Sequence, residues 1–400
     1  MPEPGNTVVV AAARTPIGRA YKGSLVDVHP EDLLLTAVRA VLADTPGLDP
    51  AELDEVLLGC SLAAGEQGGN LARVLAVELG LDGVPGTTLN RYCASSMQTT
   101  RMADHAIRVG DGELYLSLGL ESVSRVRQPG PDPLPDERPR AFQGLAPVQP
   151  WQDPRERGAL PDVFLGMGET AENVADLTGT TRQQMDEYAA RSQELAAAAT
   201  ASGFWKSEIA PVTRPDGTVV DTDDSPRPGT TVEGLAGLQP VFRPDGRVTA
   251  GNSCPLNDGA AAMLLASERA AQRLGLTPLA RIVSTSVFAL SPEIMGLGTV
   301  GASRKALAAA GLTVDDLDLV EINEAFAAMV VPSFGQLGVP LDKVNVNGGA
   351  IALGHPFGMS GARITCTLLN GLRTSGGRYG LQTMCVAGGQ GMAMVVENLA

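Results

Sequence analysis

The sequence predicts an α/β protein built from two similar halves, with a third segment set between them. Three observations carry this. Short apolar or β-branched runs alternate with helical runs through the first third of the chain, as in layered folds with mostly parallel strands. The same order of elements returns after Ala280 at an offset of roughly 260–275 residues, too long for a solenoid and suited to a duplicated domain. Between the copies the composition shifts towards proline, arginine, aspartate and glutamine. The expected units are residues 1–123 completed by 255–276, an inserted loop domain over 124–254, and a second half over 277–400.

Taken in order, Val8-Val9-Val10-Ala11-Ala12 reads as a buried strand that Arg14-Thr15-Pro16-Ile17-Gly18 breaks into a turn. Pro30 and Glu31 open a helix to Leu42, with Leu33, Leu34, Ala37, Val38 and Val41 at helical spacing. Asp54 to Leu58 is the next strand, and Asn70 to Leu79 a helix ending at Gly80. The run from Val84 to Leu89 leads into Asn90-Arg91-Tyr92-Cys93-Ala94-Ser95-Ser96, and Gln98 to Val109 leads out as a helix. Leu114 to Leu118 closes the first copy as a strand.

The stretch from Arg125 to Asp162 includes Gln128-Pro129-Gly130-Pro131-Asp132-Pro133-Leu134-Pro135, which suits neither a helix interior nor a central strand. It also carries Phe142 and Trp151, with Phe164 just beyond, so an ordered excursion is expected rather than a solvated linker. Thr170 to Ala201 reads as two helical arms divided near Gly179, Asp216 to Arg227 as turns, and Val248 to Ala250 as strand. In the second copy, Arg281-Ile282-Val283 answers Val8-Val9-Val10, and the helix Ser303 to Ala310 answers Leu33 to Leu42. Asp316 to Val320 answers Glu52 to Val56, Val344-Asn345-Val346-Asn347 answers Thr88-Leu89-Asn90, and Leu381 to Val386 answers Leu114 to Leu118. Matching loops then fall on one side, where a site can form between the halves.

Composition excludes several classes. A formal net charge of −15 argues against non-specific nucleic-acid binding and against an anionic membrane surface. No apolar run approaches the ~20 residues of a membrane helix, and the N-terminus lacks a basic region followed by an apolar core. The five cysteines, Cys60, Cys93, Cys254, Cys366 and Cys385, are odd in number, far apart and without C-x-x-C spacing. Neither a zinc site nor a disulfide framework is expected, and a reducing, cytoplasmic setting is.

Cys93 sits where a strand turns into a helix. The N–H groups and partial positive charge of a helix N-terminus lower a thiol pKa, which suits a nucleophile. Free cysteine is also common core filler, so the turn alone leaves both readings open. Of the three histidines, His29 precedes a helix and His105 lies on the helix after Cys93. His355 lies in Gly354-His355-Pro356-Phe357-Gly358-Met359-Ser360, the second copy's counterpart of the Cys93 turn, and is the best candidate base. Cys385 ends a strand before Ala387-Gly388-Gly389 and alone reads as core. Asn323 follows the Leu319-Val320 strand and alone reads as a helix cap. Together, two thiols, an imidazole and an amide fall at corresponding strand ends of the two copies.

This constellation resembles the thiolases. Asn90-Arg91-Tyr92-Cys93-Ala94-Ser95-Ser96, Asn323-Glu324-Ala325-Phe326-Ala327, the run from Gly354 to Arg363, and Cys385-Val386-Ala387-Gly388-Gly389-Gln390-Gly391 are similar to that family's four active-site blocks in order and spacing. Ala250-Gly251-Asn252 with Leu256-Asn257-Asp258-Gly259, Met167 to Asn173, and Arg14-Thr15-Pro16 extend the resemblance over the whole chain. It implies an α-β-α-β-α layered fold and acyl-CoA:acetyl-CoA C-acyltransferase activity. Coenzyme A would be a co-substrate, with no tightly bound cofactor and no metal, and the chain would form a homodimer or homotetramer.

By the same resemblance Cys93 is the acyl-carrying nucleophile, His355 takes its proton, and Cys385 is the acid or base at the acetyl carbon. Asn323 holds a water that, with His355, meets one oxyanion. The backbone N–H groups of Cys93 and Ala387 meet the other. Alanine replaces the family's usual glycine at 387 and would be strained there if φ were positive. For CoA, Arg227 would stack on adenine or meet phosphate. Met167, Gly234, Ala250 and Cys254 would line the pantetheine path, and Phe326 would lie at the acyl end. Cys254 replaces the usual serine, which puts a hydroxyl hydrogen bond in doubt. The expected reaction is degradative cleavage of a 3-oxoacyl-CoA from a fatty acid or steroid side chain. The alternatives are biosynthetic acetoacetyl-CoA formation and a non-catalytic acyl-CoA or lipid-carrier protein.

Overall fold

The computed structural model describes residues 5–126, 137–146 and 148–400. The expectation for Gln128 to Pro135 lies outside the described residues. The strands are β1 (Thr7–Arg14), β2 (Gly18–Arg19), β3 (Glu55–Cys60), β4 (Gly86–Leu89), β5 (Leu114–Ser122), β6 (Val212–Thr213), β7 (Val219–Val220), β8 (Asn257–Ser267), β9 (Ala280–Ala289), β10 (Leu319–Ile322), β11 (Tyr379–Val386) and β12 (Gln390–Asn398). The helices are α1 (Pro30–Ala43), α2 (Leu71–Glu78), α3 (Ser95–Val109), α4 (Met167–Thr178), α5 (Arg182–Ser202), α6 (Val232–Ala236), α7 (Glu268–Leu274), α8 (Gly298–Ala310), α9 (Ala327–Leu337), α10 (Ala350–Leu353) and α11 (Ser360–Ser375).

One sheet runs in the order β10-β11-β12-β9-β1-β8-β5-β3-β4, with β2 beside β8. It divides at β1 and β9, which share only the pairs Val8–Arg281 and Val9–Ala280. On one side lie β4-β3-β5-β8-β1, and on the other β10-β11-β12-β9. Parallel pairing of β3 with β4 and β5 is repeated by β10 with β11. The order of strands within each half is the duplication read from the sequence.

Helices α3 and α11 lie between the two half-sheets. Met97 and Ile107 of α3 and Ile364 and Leu368 of α11 share a core with Leu57, Leu265, Ile282, Met384 and Met394. Helix α11 is buried on every side from Ser360 to Leu372, as a helix between two sheets must be. Helices α1 and α2 cover the outer face of the first half-sheet, and α8 and α9 that of the second. The result is the five-layer arrangement. Gly59 is required by this stacking, since a Cβ there would meet the Ser95 carbonyl carbon at 2.3 Å.

Two strand expectations are corrected. Val248 to Ala250 forms no strand, and Thr249 only bridges Pro240 in a turn-rich stretch. Val344 to Asn347 forms no strand either, although Val344 bridges Val320 at the position equivalent to β4. The reason is Asn345, which turns left-handed at φ 45°. Its side chain accepts the Ile322 N–H at 2.8 Å and donates to the Ile322 carbonyl at 2.9 Å, doing the pairing a strand would have done.

The described residues of 124–254 add no strand to the large sheet; β6 and β7 pair only with each other. This segment is fastened to β1 by Arg14, fully buried, which donates to Glu208 at 2.9 Å and to both oxygens of Asp223 at 2.8 and 3.0 Å. Truncating Arg14 would leave two buried carboxylates uncompensated. Arg14→Ala is expected to lower stability by about 3 kcal/mol or more, read as a fall in the denaturation midpoint with the large sheet retained in circular dichroism.

Candidate active site

Cys93 lies in the turn between β4 and α3. The preceding Tyr92 is held left-handed at φ 46°, a costly conformation for a non-glycine residue that clusters at functional sites. Asn90 stabilises it by accepting the Tyr92 N–H at 2.7 Å, and Ser95 Oγ accepts the Arg91 N–H at 2.8 Å. Arg91 reaches across to Gln390 at 2.7 Å, docking this turn on the glycine turn after β11. There the Ala387 N–H is placed to favour the charged form of the Cys93 sulfur. Ala387 does not have positive φ; the left-handed positions are Gly388 and Gly389, at 74° and 77°. Alanine at 387 is therefore unstrained.

The lowered Cys93 pKa expected from the helix N-terminus is reversed. Cys93 is partly exposed yet enclosed by protein, and that burial pushes its thiol well above the ordinary value. Cys385 and then Glu121 add to the rise, while the N–H groups of Cys93 and Ala387 oppose it. Desolvation outweighs the partial charge of the helix end. The resting group is a thiol, and a base must take its proton.

His355 rests in the state that such a base needs. It is 1% exposed, and its backbone N–H is fixed on Asn257 Oδ1 at 2.9 Å. Its Nδ1 lies 2.6 Å from Ser360 Oγ, whose own hydrogen goes to the Pro356 carbonyl at 2.7 Å. Ser360 must therefore accept from Nδ1–H, which leaves the lone pair on Nε2. Asn323 Nδ2 stands 3.2 Å from that atom. Burial, then Arg363, lowers the imidazole pKa to about 3, so it rests neutral. Asn323 is no helix cap: it is 1% exposed, its N–H donates to the Thr383 carbonyl at 3.0 Å, and the cap of α9 is Phe326.

Cys385, 1% exposed, is in β11 opposite Gly391. Burial, then Cys254, pushes its thiol up to about 12. The three thiols are near enough to oppose one another's ionisation: Cys385 raises Cys93, Cys93 raises Cys254, and Cys254 raises Cys385. The Cys254 backbone is fixed by a hydrogen bond to the Ala325 carbonyl at 3.0 Å. Phe326 packs edge-to-face on Phe242, and Met167 and Cys254 pack against the same apolar cluster. Ala250, Gly234 and Arg227 are exposed.

Several residues of the site were not singled out from sequence: Ser360, Asn257, Glu121 and Glu324. Glu324 is fully buried and accepts from Tyr188 at 2.8 Å, Ser192 at 2.7 Å and the Ile351 N–H at 3.0 Å. A signal existed in the carboxylates placed inside apolar strand ends, where burial demands donors. Among the described residues no group of three or more His, Cys, Asp or Glu could hold a metal ion. None of their helices is long and apolar enough to cross a membrane.

The His355 geometry sets a pH dependence. Its folded value lies below 6.5, the ordinary one, so unfolding takes up a proton between the two. Its contribution is present above the unfolded value and is lost as pH falls towards the folded one. The slope from this group approaches about 1.4 kcal/mol per pH unit. His355→Gln is expected to remove that one-proton slope from denaturation curves between pH 6 and roughly pH 4.

Comparison with known proteins agrees with this geometry. Residues 7–269 match the family described as "Thiolase, N-terminal domain", and residues 276–398 match "Thiolase, C-terminal domain". A beta-ketoadipyl-CoA thiolase of Pseudomonas aeruginosa is 45% identical, with 97% of this chain and 98% of the relative covered. An acetyl-CoA acetyltransferase of the same organism is 44% identical over 98% and 99%. Among solved structures, the Bacillus anthracis acetyl-CoA acetyltransferase superposes at TM-score 0.89 with 38% identity, all of both chains being covered. Human mitochondrial 3-ketoacyl-CoA thiolase in complex with CoA superposes at 0.88 with 39% identity, over 98% of each chain. This chain belongs to the thiolase family and is an acyltransferase.

Proposed function

We propose that the protein cleaves a 3-oxoacyl-CoA with coenzyme A, through an acyl group carried on Cys93. The observation that carries this is the pairing of states in one enclosed site. A high-pKa thiol in the loop before α3 and a neutral imidazole, its Nε2 lone pair set by Ser360, in the loop before α11 lie at helix starts that touch. His355 takes the Cys93 proton as sulfur attacks the 3-keto carbon. The Cα–Cβ bond breaks, and its electron pair goes to the leaving acetyl-CoA enolate. Cys385 protonates that carbon, with the thioester oxygen met by His355 and a water on Asn323. The Cys93 and Ala387 N–H groups meet the oxyanion at the acyl carbon. CoA thiol then attacks the acyl-Cys93 and its proton restores Cys385, while the Cys93–acyl bond breaks and the leaving sulfur takes back the proton held by His355.

Residues 124–254 form the CoA-binding insert in this reading, with Arg227 for the nucleotide, Gly234, Ala250, Met167 and Cys254 along pantetheine, and Phe326 at the acyl end. The acyl substrate is a fatty acid or steroid side chain undergoing β-oxidation. A dicarboxylic acyl chain enters as a competitor because several relatives are named beta-ketoadipyl-CoA thiolases. The assembly is a homodimer or homotetramer in the cytoplasm, and a solution mass of one chain would contradict it.

Cys93→Ala is expected to abolish CoA-dependent loss of 3-oxoacyl-CoA and the covalent acyl label, with the fold intact. Cys385→Ala should lower kcat by about 100-fold or more, and Asn323→Ala by about 10- to 1,000-fold. The measurement is loss of the 3-oxoacyl-CoA enolate absorbance across short, long, dicarboxylic and steroidal chains. Acyl-CoA binding without turnover or acyl-Cys93 on every chain would sink the reaction and favour a carrier role.

A further inference from the structure

We propose that Glu121 is a positioning residue that fixes the His355 loop against the Cys93 turn. The inference rests on the roles given above to Cys93 and His355. Glu121 stands near the end of β5, fully buried. One carboxylate oxygen, Oε2, accepts the Gly358 N–H at 2.8 Å and the Ser61 N–H at 3.0 Å. The other, Oε1, accepts the Leu62 N–H at 3.0 Å, Gln67 Nε2 at 3.1 Å and the Cys60 thiol at 3.8 Å. All of these donors are neutral. A carboxylate without water needs each of them, and holding all at once fixes three chain segments to one point.

Those segments are the ones that carry the chemistry. Gly358 is three residues after His355. The Ser61 carbonyl accepts from Asn90 Nδ2 at 2.7 Å, and Asn90 Oδ1 in turn holds the strained Tyr92 before Cys93. A continuous chain therefore runs from the Cys93 turn through Asn90, Ser61 and Glu121 to Gly358 and the His355 loop. It crosses between the duplicated halves. Packing leaves little slack at its far end: a Cβ on Gly358 would meet the Leu120 carbonyl oxygen at 2.3 Å and Cys60 Cα at 2.8 Å. Burial raises the Glu121 carboxyl to about 7 while the Gly358, Leu62 and Ser61 N–H groups oppose the rise. Its charge also opposes thiolate formation at Cys93. A bare hydrophobic strut would avoid that opposition, so the carboxylate is explained by the donors it gathers.

Glu121→Gln keeps the length and volume but presents an amide N–H₂ to donors on one side. In folded protein, kcat for thiolysis is expected to fall more than about tenfold while KM for CoA and for the 3-oxoacyl-CoA stays within about twofold. Alkylation of Cys93 by iodoacetamide, followed by peptide mass spectrometry, should slow by a similar factor, because it depends on His355 and needs no substrate. A kcat within about twofold of the parent, or a loss carried equally by KM, overturns the proposal. Asn90→Ala breaks the same chain at an exposed residue. It is expected to lower kcat and the alkylation rate in the same sense, and decides the matter if Glu121→Gln does not fold. An unchanged alkylation rate in that variant overturns the proposal. A parent enzyme inactive on every 3-oxoacyl-CoA would instead refute the reaction, leaving alkylation to test the strut.

Discussion

The close approach of two helix N-termini is the constraint on which the site depends. Helices α3 and α11 enter the space between the half-sheets, and their first turns touch: Ser96 Oγ accepts the Ala362 N–H at 2.9 Å. A Cβ on Gly361 would meet the Met97 nitrogen at 2.5 Å, and one on Gly119 the Gly358 carbonyl oxygen at 2.6 Å. Contact this tight requires glycine. It also means that the loop before each helix has nowhere to go except towards the other. Cys93 lies two residues before α3 and His355 five before α11, so the duplication itself brings the loops of the proposed nucleophile and base together.

The same enclosure determines the protonation states. Surrounding protein displaces most of the water from both groups, and removal of water disfavours whichever form is charged. The thiol is driven up and the imidazole down, leaving a neutral pair at rest. In the proposed reaction charge is created only when an electrophile arrives and sulfur begins to bond to it. N–H groups already in place, such as that of Ala387, then act in a low-dielectric site where fixed dipoles are most effective. A resting thiolate would sit uncompensated in that environment, near the Glu121 carboxylate and two further thiols.

The inserted segment depends on buried polar contacts rather than on the sheet. Arg14 ties it to β1 through Glu208 and Asp223. Glu293, just beyond β9, accepts from Trp151 Nε1 at 2.8 Å and from the Asp162 N–H at 2.9 Å. Glu324 gathers Tyr188 and Ser192 of α5 beside the active-site Asn323. Glu324 adjoins Asn323 in sequence, so the placement of the insert and the surroundings of Asn323 are coupled.

The sequence by itself determined the duplication, the alternation of strands and helices, and the choice of Cys93, His355, Cys385 and Asn323 as the set to propose. These are legible because strand and helix periods are local, and because reactive residues recur at matching ends of the two copies. The strand expected at Val344 to Asn347 failed because the Asn345 side chain replaces backbone pairing, a substitution that no local pattern reveals. Charge states were also out of reach. A helix N-terminus argues for a lowered thiol, but the sign at Cys93 is set by burial between two half-sheets far apart in sequence. The partners of Glu121 and the tautomer of His355 likewise come from residues 54 to 237 positions away and from Ser360 across a turn. Only tertiary structure brings those donors together, because desolvation and hydrogen bonding are properties of the assembled interior.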